Sequence, residues 1–312
     1  MEKVSVYMLA YNHSKWIARA IESIINQKTN FEYKLYIYDD ASNDGTINII
    51  NEYSKKYPNL IVPILQKKNV YSKDGFIGVN KIILPYIKGK YVCLCEGDDY
   101  WISDNKLQIQ YDYMEKNSEC SFCFSNAFMV DTEDNYISDF FNYYWKDCEI
   151  VRKLKKESDF NTEEILRIGF TPTASGMMTY NAYYDWVNSP FQIDLLLRLI
   201  STELGYAHFF PMKMTAYRTG NNESASGRAS GNFEKYYNDF YKYHARIYDY
   251  FNEKTNGKYS KTISLVKKRE IVLVYIRFLN KKNYSEFLKL ECYKDLRIYR
   301  KIRYLFKILL KG

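Results

Sequence analysis

The sequence predicts an α/β fold, in which a mostly parallel sheet carries helices on both faces, followed by a helical C-terminal appendage. Two observations support this prediction. In the first half, short apolar strands alternate with amphipathic helices of about 10 to 15 residues, a pattern typical of parallel sheets. The chain has 312 residues, 46% of them hydrophobic, which is enough for one main domain and an addition to it.

Composition along the chain predicts three parts. We expect the main domain over residues 1–220, where the alternating pattern extends. Residues 221–232 are rich in Gly, Ser and Asn, which predicts a flexible loop or lid. Residues 233–312 contain many Tyr, Lys and Arg in helical patterns and form the predicted helical, basic C-terminal region.

The first βα unit is predicted over residues 3–27. Residues 3–11, "KVSVYMLAY", are rich in strand-forming residues, and residues 14–27 have the periodicity of a helix with Ser14 as its N-cap. One face of that helix is apolar and consists of Trp16, Ile17, Ala20, Ile21, Ile24 and Ile25.

The same alternation continues to residue 95. A strand is predicted at 33–40, a helix at 46–57 that stops before Pro58, and a strand at 60–65. A helix around 77–88 is expected to end at Gly89 in a left-handed cap, and the strand "KYVCLC" follows at once.

Further elements are predicted after the strand that ends at Cys95. A helix at 161–169 has Asn161 as N-cap, Glu164 as its capping-box partner and Gly169 as its end. The other predicted elements are helices at 104–116 and 191–205 and strands at 120–131, 176–180 and 213–218.

Polar and acidic residues follow three of the predicted strands. They are Tyr11, Asn12 and His13, then Asp39 and Asp40, then Glu96, Asp98 and Asp99. In parallel sheets the carboxyl ends of the strands share one edge, where ligands bind. Carboxylates crowded there repel one another, and a Mg²⁺ or Mn²⁺ ion with a diphosphate would remove the conflict. The alternative is a solvated loop whose acids cap the helix that starts near Asp104.

Three segments together resemble the family 2 glycosyltransferases, which have the Rossmann-like GT-A fold. They are "VSVYMLAYNHSKWIARAIESIINQ", "LYIYDDASNDGT" and "CEGDDYW", and the resemblance covers about residues 1–220. It implies a metal-dependent, inverting transfer of a sugar from a nucleotide donor, with UDP as the expected nucleotide. The expected acceptor is a saccharide or a lipid-linked saccharide in the synthesis of bacterial surface polysaccharide.

The resemblance also implies roles for individual residues. The implied nucleotide-binding residues are Tyr11, Asn12, Asp39, Asp40, Glu96, Asp98 and Arg218. Tyr11 would stack on the base, Asp40 would accept the base N–H, and Arg218 would contact the diphosphate. "EGDD" corresponds to the family's DxD motif, with Asp98 and Asp99 as ligands of Mn²⁺ or Mg²⁺ and Glu96 in place of the usual Asp. Alternatives are simple packing for Tyr11, an N-cap after Gly45 for Asp40 and a surface ion pair for Arg218.

Acceptor activation is assigned to Asp194 by the same resemblance. This residue would be the catalytic base that removes the acceptor's hydroxyl proton. Glu203 is less well placed, near the C-terminus of the same helix. The alternative for Asp194 is stabilisation of a helix N-terminus by its charge. Ser175 and Gly176 are the implied acceptor-pocket residues, and a buried strand is the alternative there.

Two other functions remain open at this stage. A nucleotidyltransferase of related topology would carry a Gly-rich basic loop after the first strand, where this chain has "LAYNHSKW". A catalytically silent sugar- or nucleotide-binding protein is kept open by Glu96 and by Gly220, which replaces a His common in the family.

The charge distribution does not favour nucleic acid as a partner. The net charge is +8, but residues 281–312 contain ten Lys or Arg against three Asp or Glu, so the body is nearly neutral. A stripe of apolar residues with basic neighbours in 295–312 predicts either peripheral contact with a membrane or packing on the body. The aromatic, basic C-terminal region could also be a homodimer surface.

The expected location is the cytoplasm, with possible attachment to the inner face of the membrane. The sequence has no run of about 18 uncharged apolar residues and begins without a recognisable signal peptide. Cys93, Cys95, Cys120 and Cys123 are expected to be buried thiols, because the spacing of Cys and His does not suit a zinc site.

Overall fold

The computed structural model describes residues 2–145, 150–169, 171–220 and 233–278. The chain forms two compact units, residues 1–220 and 221–312. The predicted lid at 221–232 and the predicted amphipathic helix at 295–312 lie outside the described residues.

The first unit is built on one ten-stranded sheet. Its strands are β1 (Val4–Ala10), β2 (Tyr33–Asp39), β3 (Ile61–Leu65), β4 (Tyr91–Glu96), β5 (Tyr100–Trp101), β6 (Cys120–Val130), β7 (Tyr136–Asp139), β8 (Ser158–Phe160), β9 (Met177–Thr179) and β10 (Tyr206–Arg218). The spatial order is β3-β2-β1-β4-β9-β6-β10-β5, with β7 paired to β6 and β8 paired to β10.

Strand direction brings six carboxyl ends to one edge of the sheet. β3, β2, β1 and β4 are parallel neighbours. The short strand β9 is antiparallel to both β4 and β6, and β10 is parallel to β6, so β4, β6 and β10 all point the same way. The ends of β1, β2, β3, β4, β6 and β10 therefore lie at this edge, and the predicted α/β fold is confirmed.

Seven helices are described in the first unit. They are α1 (Ile17–Ile25), α2 (Thr46–Lys56), α3 (Tyr71–Ile83), α4 (Lys106–Lys116), α5 (Thr162–Ile168), α6 (Tyr180–Val187) and α7 (Asp194–Leu204). The central strands are covered on both faces. Val6 and Met8 of β1 share a core with Ile17, whereas the ring of Tyr7 lies 5.6 Å from that of Tyr183 on α6.

Two predicted helix caps are wrong. Ser14 does not cap α1, because the helix begins at Ile17 and the Ser14 N–H donates to Asp44 instead. Gly89 has no left-handed φ, and α3 already ends at Ile83. Gly89 is needed because a Cβ there would lie 2.5 Å from the backbone nitrogen of Ser5.

Other local predictions are confirmed. Asn161 and Glu164 form the expected capping box at the start of α5, and Gly169 ends that helix with φ of 80°. The four cysteines expected to be buried thiols are free and buried, namely Cys93, Cys95, Cys120 and Cys123. Residues 176–180 form β9 only up to Thr179, because Tyr180 begins α6.

The second unit is helical over its described residues. It contains a short helical turn at Phe233–Lys235, a π-helical segment at Tyr236–Tyr241, and the helices α8 (Lys242–Lys254) and α9 (Ser260–Arg277). The hydroxyl of Tyr248 on α8 donates to Glu270 on α9. Within the described part of the chain, no helix combines the length and the hydropathy needed to span a bilayer.

Candidate active site

The loop after β1 is joined to the loop after β2 by hydrogen bonds. Tyr11 leaves the end of β1 and is 44% exposed. Asn12 adopts a left-handed conformation, with φ of 55°. Its N–H donates to the hydroxyl of Ser42, and its side-chain oxygen accepts from the N–H of Asn43. The loop that carries Tyr11 is therefore held at the sheet edge by two hydrogen bonds to the loop after β2.

The carboxylates of Asp39 and Asp40 are buried and already hydrogen bonded. Asp39 accepts from the N–H and the hydroxyl of Ser42. Asp40 accepts from the hydroxyl of Tyr38 and from the N–H groups of Val70 and Tyr71, at the start of α3. The alternative that Asp40 caps the helix after Gly45 is wrong, because the N–H groups that donate to its carboxylate lie at the start of α3.

Asp44 supports the start of α2 and was not singled out from the sequence. It accepts from the N–H groups of Ser14 and Thr46 and from the Thr46 hydroxyl. Partial burial raises the pKa of this carboxyl, but the hydrogen bonds outweigh it and lower the pKa to about 2. The carboxylates of Asp39, Asp40 and Asp44 thus all accept hydrogen bonds from protein groups.

The acidic turn begins where β4 ends, at Glu96. The Gly97 N–H donates to the carbonyl of Leu9 on β1, which fixes the turn against the neighbouring strand. A Cβ at position 97 would lie 2.7 Å from Nδ1 of His13 and 2.7 Å from Cδ1 of Ile17. A side chain at position 97 would require His13 and Ile17 to move, so glycine allows the turn to lie close against them.

Electrostatics show that the acids of this turn lie near Asp194. Burial, then the charge of Asp98 and that of Asp194, raises the pKa of Glu96 to about 7. Burial, then Asp98 and Glu96, raises the pKa of Asp99 well above its ordinary value. One carboxylate oxygen of Glu96 is buried without a hydrogen-bond partner in the described structure. We call Glu96, Asp98, Asp99 and Asp194 the acid cluster.

Arg218, the last residue of β10, holds the acidic turn in place. Its N–H donates to Asp99 at 2.8 Å and its Nε–H to the carbonyl of Asp98 at 2.7 Å. Its other nitrogens donate to the carbonyl of Asp131 and to the carboxylate of Asp134. The side chain is 1% exposed, so contact with a diphosphate requires release of some of these bonds. The diphosphate role of Arg218 stays a prediction.

We call the contacts of Arg218 with Asp98, Asp99, Asp131 and Asp134 the clamp. Asp131 and Asp134 lie in the turn after β6. Asp134 also pairs with Arg19 on α1 at 2.8 Å. Partial burial raises the pKa of Asp134, but Arg218 and then Arg19 lower it below its ordinary value. Sequence reasoning missed Asp131 and Asp134, because "VDTEDN" has the composition of any exposed turn.

Asp194 is the first residue of α7, as predicted, and its side chain is 28% exposed. One oxygen accepts from the N–H of Leu195, and the other lies 3.2 Å from the buried guanidinium of Arg198. Arg198 also donates to the hydroxyl of Thr171. The carboxylate is therefore oriented by a buried cation one turn further along the helix.

Ser175 and Gly176, the predicted acceptor-pocket residues, are buried beside β9. The hydroxyl of Ser175 donates to the carbonyl of Pro172, and the Ser175 carbonyl accepts from Gln110 on α4. These contacts fix the chain that enters the middle of the sheet. A direct contact of either residue with an acceptor stays a prediction.

The acid cluster has the chemistry of a cation site, although its geometry alone does not define one. Among the residues that the structure describes, no three His, Cys, Asp or Glu side chains are arranged to hold a metal ion. Mg²⁺ and Mn²⁺ need only one or two carboxylates when water and phosphates complete the shell. The unpartnered oxygen of Glu96 and the raised pKa values are the signature of missing positive charge, so the residues fit a divalent cation.

The first unit thus combines a mostly parallel α/β sheet, acidic residues after its strands and a further acid at the start of a later helix. The family model for "Glycosyl transferase family 2" matches residues 5–180, which is more than half of the chain. The chain therefore belongs to the family 2 glycosyltransferases, and the predicted family is confirmed.

Individual proteins agree with this assignment. WfaP of Escherichia coli, a UDP-Glc:α-D-GlcNAc-diphosphoundecaprenol β-1,3-glucosyltransferase, is 33% identical over 129 residues, 41% of this chain and 47% of its own. Residues 1–349 of TarS of S. aureus, in complex with UDP-GlcNAc, superpose with a TM-score of 0.57 at 15% identity, covering 97% of this chain and 78% of that fragment.

A second solved structure is that of the mannosyltransferase PcManGT from Pyrobaculum calidifontis with GDP-Man and Mn²⁺. Its TM-score is 0.51 at 12% identity, covering 99% of this chain and 86% of the other. These likenesses show the GT-A fold. The chain spans about half the length of the curated relatives it matches.

Proposed function

We propose that this protein is a metal-dependent, inverting glycosyltransferase that moves a sugar from a UDP-sugar to a saccharide or lipid-linked acceptor. The observation that carries the proposal is the acid cluster, because it brings the acids after β4 into electrostatic contact with Asp194 at the start of α7. A donor diphosphate with its cation and an activated acceptor have to meet at one such place. The family membership and the UDP-sugar named for WfaP support the class and the nucleotide.

The nucleoside is assigned to the loops after β1 and β2. Tyr11, half exposed at the sheet edge, supplies an aromatic face for the base. Asn12 and Asp39 fix these loops through Ser42, and Asp40 is the acceptor assigned to the base N–H. Binding at Asp40 replaces at least one bond that it accepts from the amides of Val70 and Tyr71.

The cation, Mn²⁺ or Mg²⁺, is assigned to Asp98 and Asp99, with Glu96 beside them. When bound, such an ion offsets the negative charge that develops on the departing diphosphate. Asp99 already accepts the N–H of Arg218, so its position is set before any ligand arrives. Asp98 is half-buried, as is Glu96, whereas Asp99 is buried, and Asp98 is the leading ligand.

The chemical step needs a base for the acceptor hydroxyl. Asp194 takes that proton on its carboxylate while the hydroxyl oxygen forms a bond to the anomeric carbon and the bond to the diphosphate breaks. One displacement inverts the configuration at that carbon. Arg198 keeps the carboxylate pointing in one direction, and Ser175 and Gly176 are assigned to the acceptor side.

The acceptor and the location are proposed by analogy with the relatives. WfaP is named for an acceptor linked to diphosphoundecaprenol, which suits a role in surface polysaccharide synthesis. We assign the protein to the cytoplasm, with contact to the inner membrane face through residues 295–312. Dimerisation through the C-terminal region belongs to the same proposal.

The deciding experiment measures hydrolysis of a panel of nucleotide sugars, with Mn²⁺, Mg²⁺ or EDTA and no added acceptor. We expect slow, metal-dependent release of UDP from one donor, lost in Asp98→Ala and kept in Asp185→Ala. Asp185 is the control because it is an exposed acid on α6. If no donor is hydrolysed and no nucleotide binds with metal, the protein is instead a silent binding protein of the same fold.

A further inference from the structure

Exposed aromatic rings follow β7 in the first unit. Tyr143 is 59% exposed and Tyr144 is 40% exposed, both in the π-helical segment Phe141–Trp145. Their ring centroids are 4.8 Å apart, and that of Tyr144 lies 4.5 Å from the ring of Phe140, which is fully buried. We call Phe140, Tyr143 and Tyr144 the aromatic platform.

The platform is anchored to the sheet. Phe140 is the residue after β7, and the N–H of Phe141 donates to the side-chain oxygen of Asn126 on β6 at 3.1 Å. Exposed rings on a free loop would move with it, whereas these rings rest on a buried phenylalanine and a bonded backbone. Such fixed rings lose little entropy when they bind a ligand.

The platform is continuous with the acid cluster. The ring of Phe140 meets that of Tyr217 edge-on, with centroids 5.9 Å apart. Tyr217 precedes Arg218 on β10, and its hydroxyl is within electrostatic range of Tyr144 and also of Asp99, Glu96 and Asp194. A path of aromatic groups therefore leads from the acids out to the exposed rings.

The chemistry of this path favours a neutral sugar. A pyranose ring has one face of C–H groups, which carry partial positive charge and match the negative face of an aromatic ring. Burying that face removes apolar area from water, while the phenol hydroxyls remain at the edge to bond sugar hydroxyls. The negative acid cluster beside the platform disfavours an anionic lipid surface.

We propose that Tyr143 and Tyr144, supported by Phe140, form an acceptor subsite that stacks on a pyranose ring one or more units away from the reacting hydroxyl. The inference rests on the proposed function, since it places the acceptor chain along the path from Asp194 to these rings. It adds an assignment that sequence reasoning did not make, because "FFNYYW" has no motif spacing.

The test uses the full chain and four soluble tetrasaccharides, made of glucose, N-acetylglucosamine, mannose or galactose. Saturation-transfer NMR detects the sugar C–H protons that lie against protein rings. We expect transfer to at least one tetrasaccharide, with binding weakened about tenfold in the double variant Tyr143→Ala/Tyr144→Ala. Tyr143→Phe/Tyr144→Phe should keep most of the binding, because it keeps both rings.

Tyr136→Ala is the matched control. Tyr136 is also 59% exposed and lies on β7, but its ring packs edge-on against Phe128, outside the platform. Equal loss in this control, or unchanged transfer in the double alanine variant, would overturn the proposal. So would the absence of transfer to all four sugars, or binding of this patch to phosphatidylglycerol vesicles in their place.

Donor hydrolysis without acceptor separates this inference from the proposed function. The double alanine variant should release UDP from the donor at the rate of the unchanged protein, because the nucleotide and the cation are bound elsewhere. Hydrolysis in the unchanged protein together with no sugar binding would overturn the subsite alone. Absence of hydrolysis under every condition would overturn the proposed function itself.

Discussion

The nucleotide loops and the acid cluster occupy the same edge of one sheet, yet their carboxylates differ in the hydrogen bonds that they accept. In the loops after β1 and β2, the carboxylates of Asp39, Asp40 and Asp44 each accept hydrogen bonds from protein groups. In the acid cluster, Glu96 and Asp99 have raised pKa values, and one Glu96 oxygen has no partner in the described structure.

This difference indicates which contacts are built in and which await a ligand. Hydrogen bonds from backbone amides fix the nucleotide loops before any nucleotide binds. Those to Asp44 lower its pKa, so this carboxylate adds to stability, whereas burial raises the pKa of Asp39. Like charges in the acid cluster instead reduce stability until a cation offsets them. The stability cost lies where the chemistry is proposed to occur, as is common in active sites.

The strongest test of the comparison removes the proposed base. Asp194→Asn keeps the shape and the helix start but cannot take a proton, so transfer should fall about 10³-fold, equal to about 4 kcal/mol. Binding of UDP with Mn²⁺, measured by calorimetry, should not change. Glu203→Gln at the other end of α7 is the control, and an equal loss in it would contradict the assignment.

Next in size is the effect of breaking the clamp. Arg218→Lys leaves one ammonium group in place of a fork, and the lost buried contacts should destabilise the protein by about 3 kcal/mol in chemical denaturation. Arg19→Ala removes the other, half-exposed partner of Asp134 and should cost less than about 1 kcal/mol. Similar losses in the two variants would show that burial of Arg218 has no special importance.

Removing the charge of Glu96 from the acid cluster should increase the stability of the protein. The pKa of Glu96 in the folded protein is about 7, above its ordinary 4.5. Stability from this group is therefore full below pH 4.5 and is lost as the pH rises through 7. Without metal, Glu96→Gln should stabilise the protein by about 2 kcal/mol at pH 8 and very little at pH 4. Thermal unfolding at both pH values measures this, and destabilisation at pH 8 would refute it.

The nucleotide loops should give the smaller and opposite effect. Asp44 has a pKa of about 2 in the folded protein against an ordinary 3.8, so its contribution is present above pH 3.8 and lost as the pH falls through 2. Because Asp44 is exposed, Asp44→Asn should cost only about 1 kcal/mol at pH 7. Thermal unfolding should show the difference shrinking towards pH 2, and a constant difference would rule out the carboxylate as its cause.

Much of this edge could be predicted from the sequence, because the carboxyl ends of parallel strands necessarily share it. Strand patterns alone therefore placed the ends of β1, β2 and β4 together, with their polar residues. The helix that begins with Asp194 was also predicted. The approach of Asp194 to Glu96 was not predicted, because the chain before it enters the sheet through β9, which is antiparallel to β4. The short segment "GMMTY" does not reveal strand direction.

The remaining contacts depend on backbone groups, which have no sequence signal. Asp40 accepts hydrogen bonds from the backbone N–H groups of Val70 and Tyr71, and any residue except proline would present the same N–H there. The clamp on Arg218 uses the carbonyls of Asp98 and Asp131 in the same way. Predicting such partners requires the packed structure.

The close approach at Gly97 sets a limit on protein engineering of this chain. Libraries that vary donor preference commonly randomise whole motifs, and "EGDD" would be an obvious target. A Cβ at position 97 would lie 2.7 Å from side-chain atoms of His13 and Ile17, so members of such a library would need these side chains or the turn to move. Diversity is better introduced at exposed Tyr11, where a changed side chain meets solvent and leaves the acid cluster in its place.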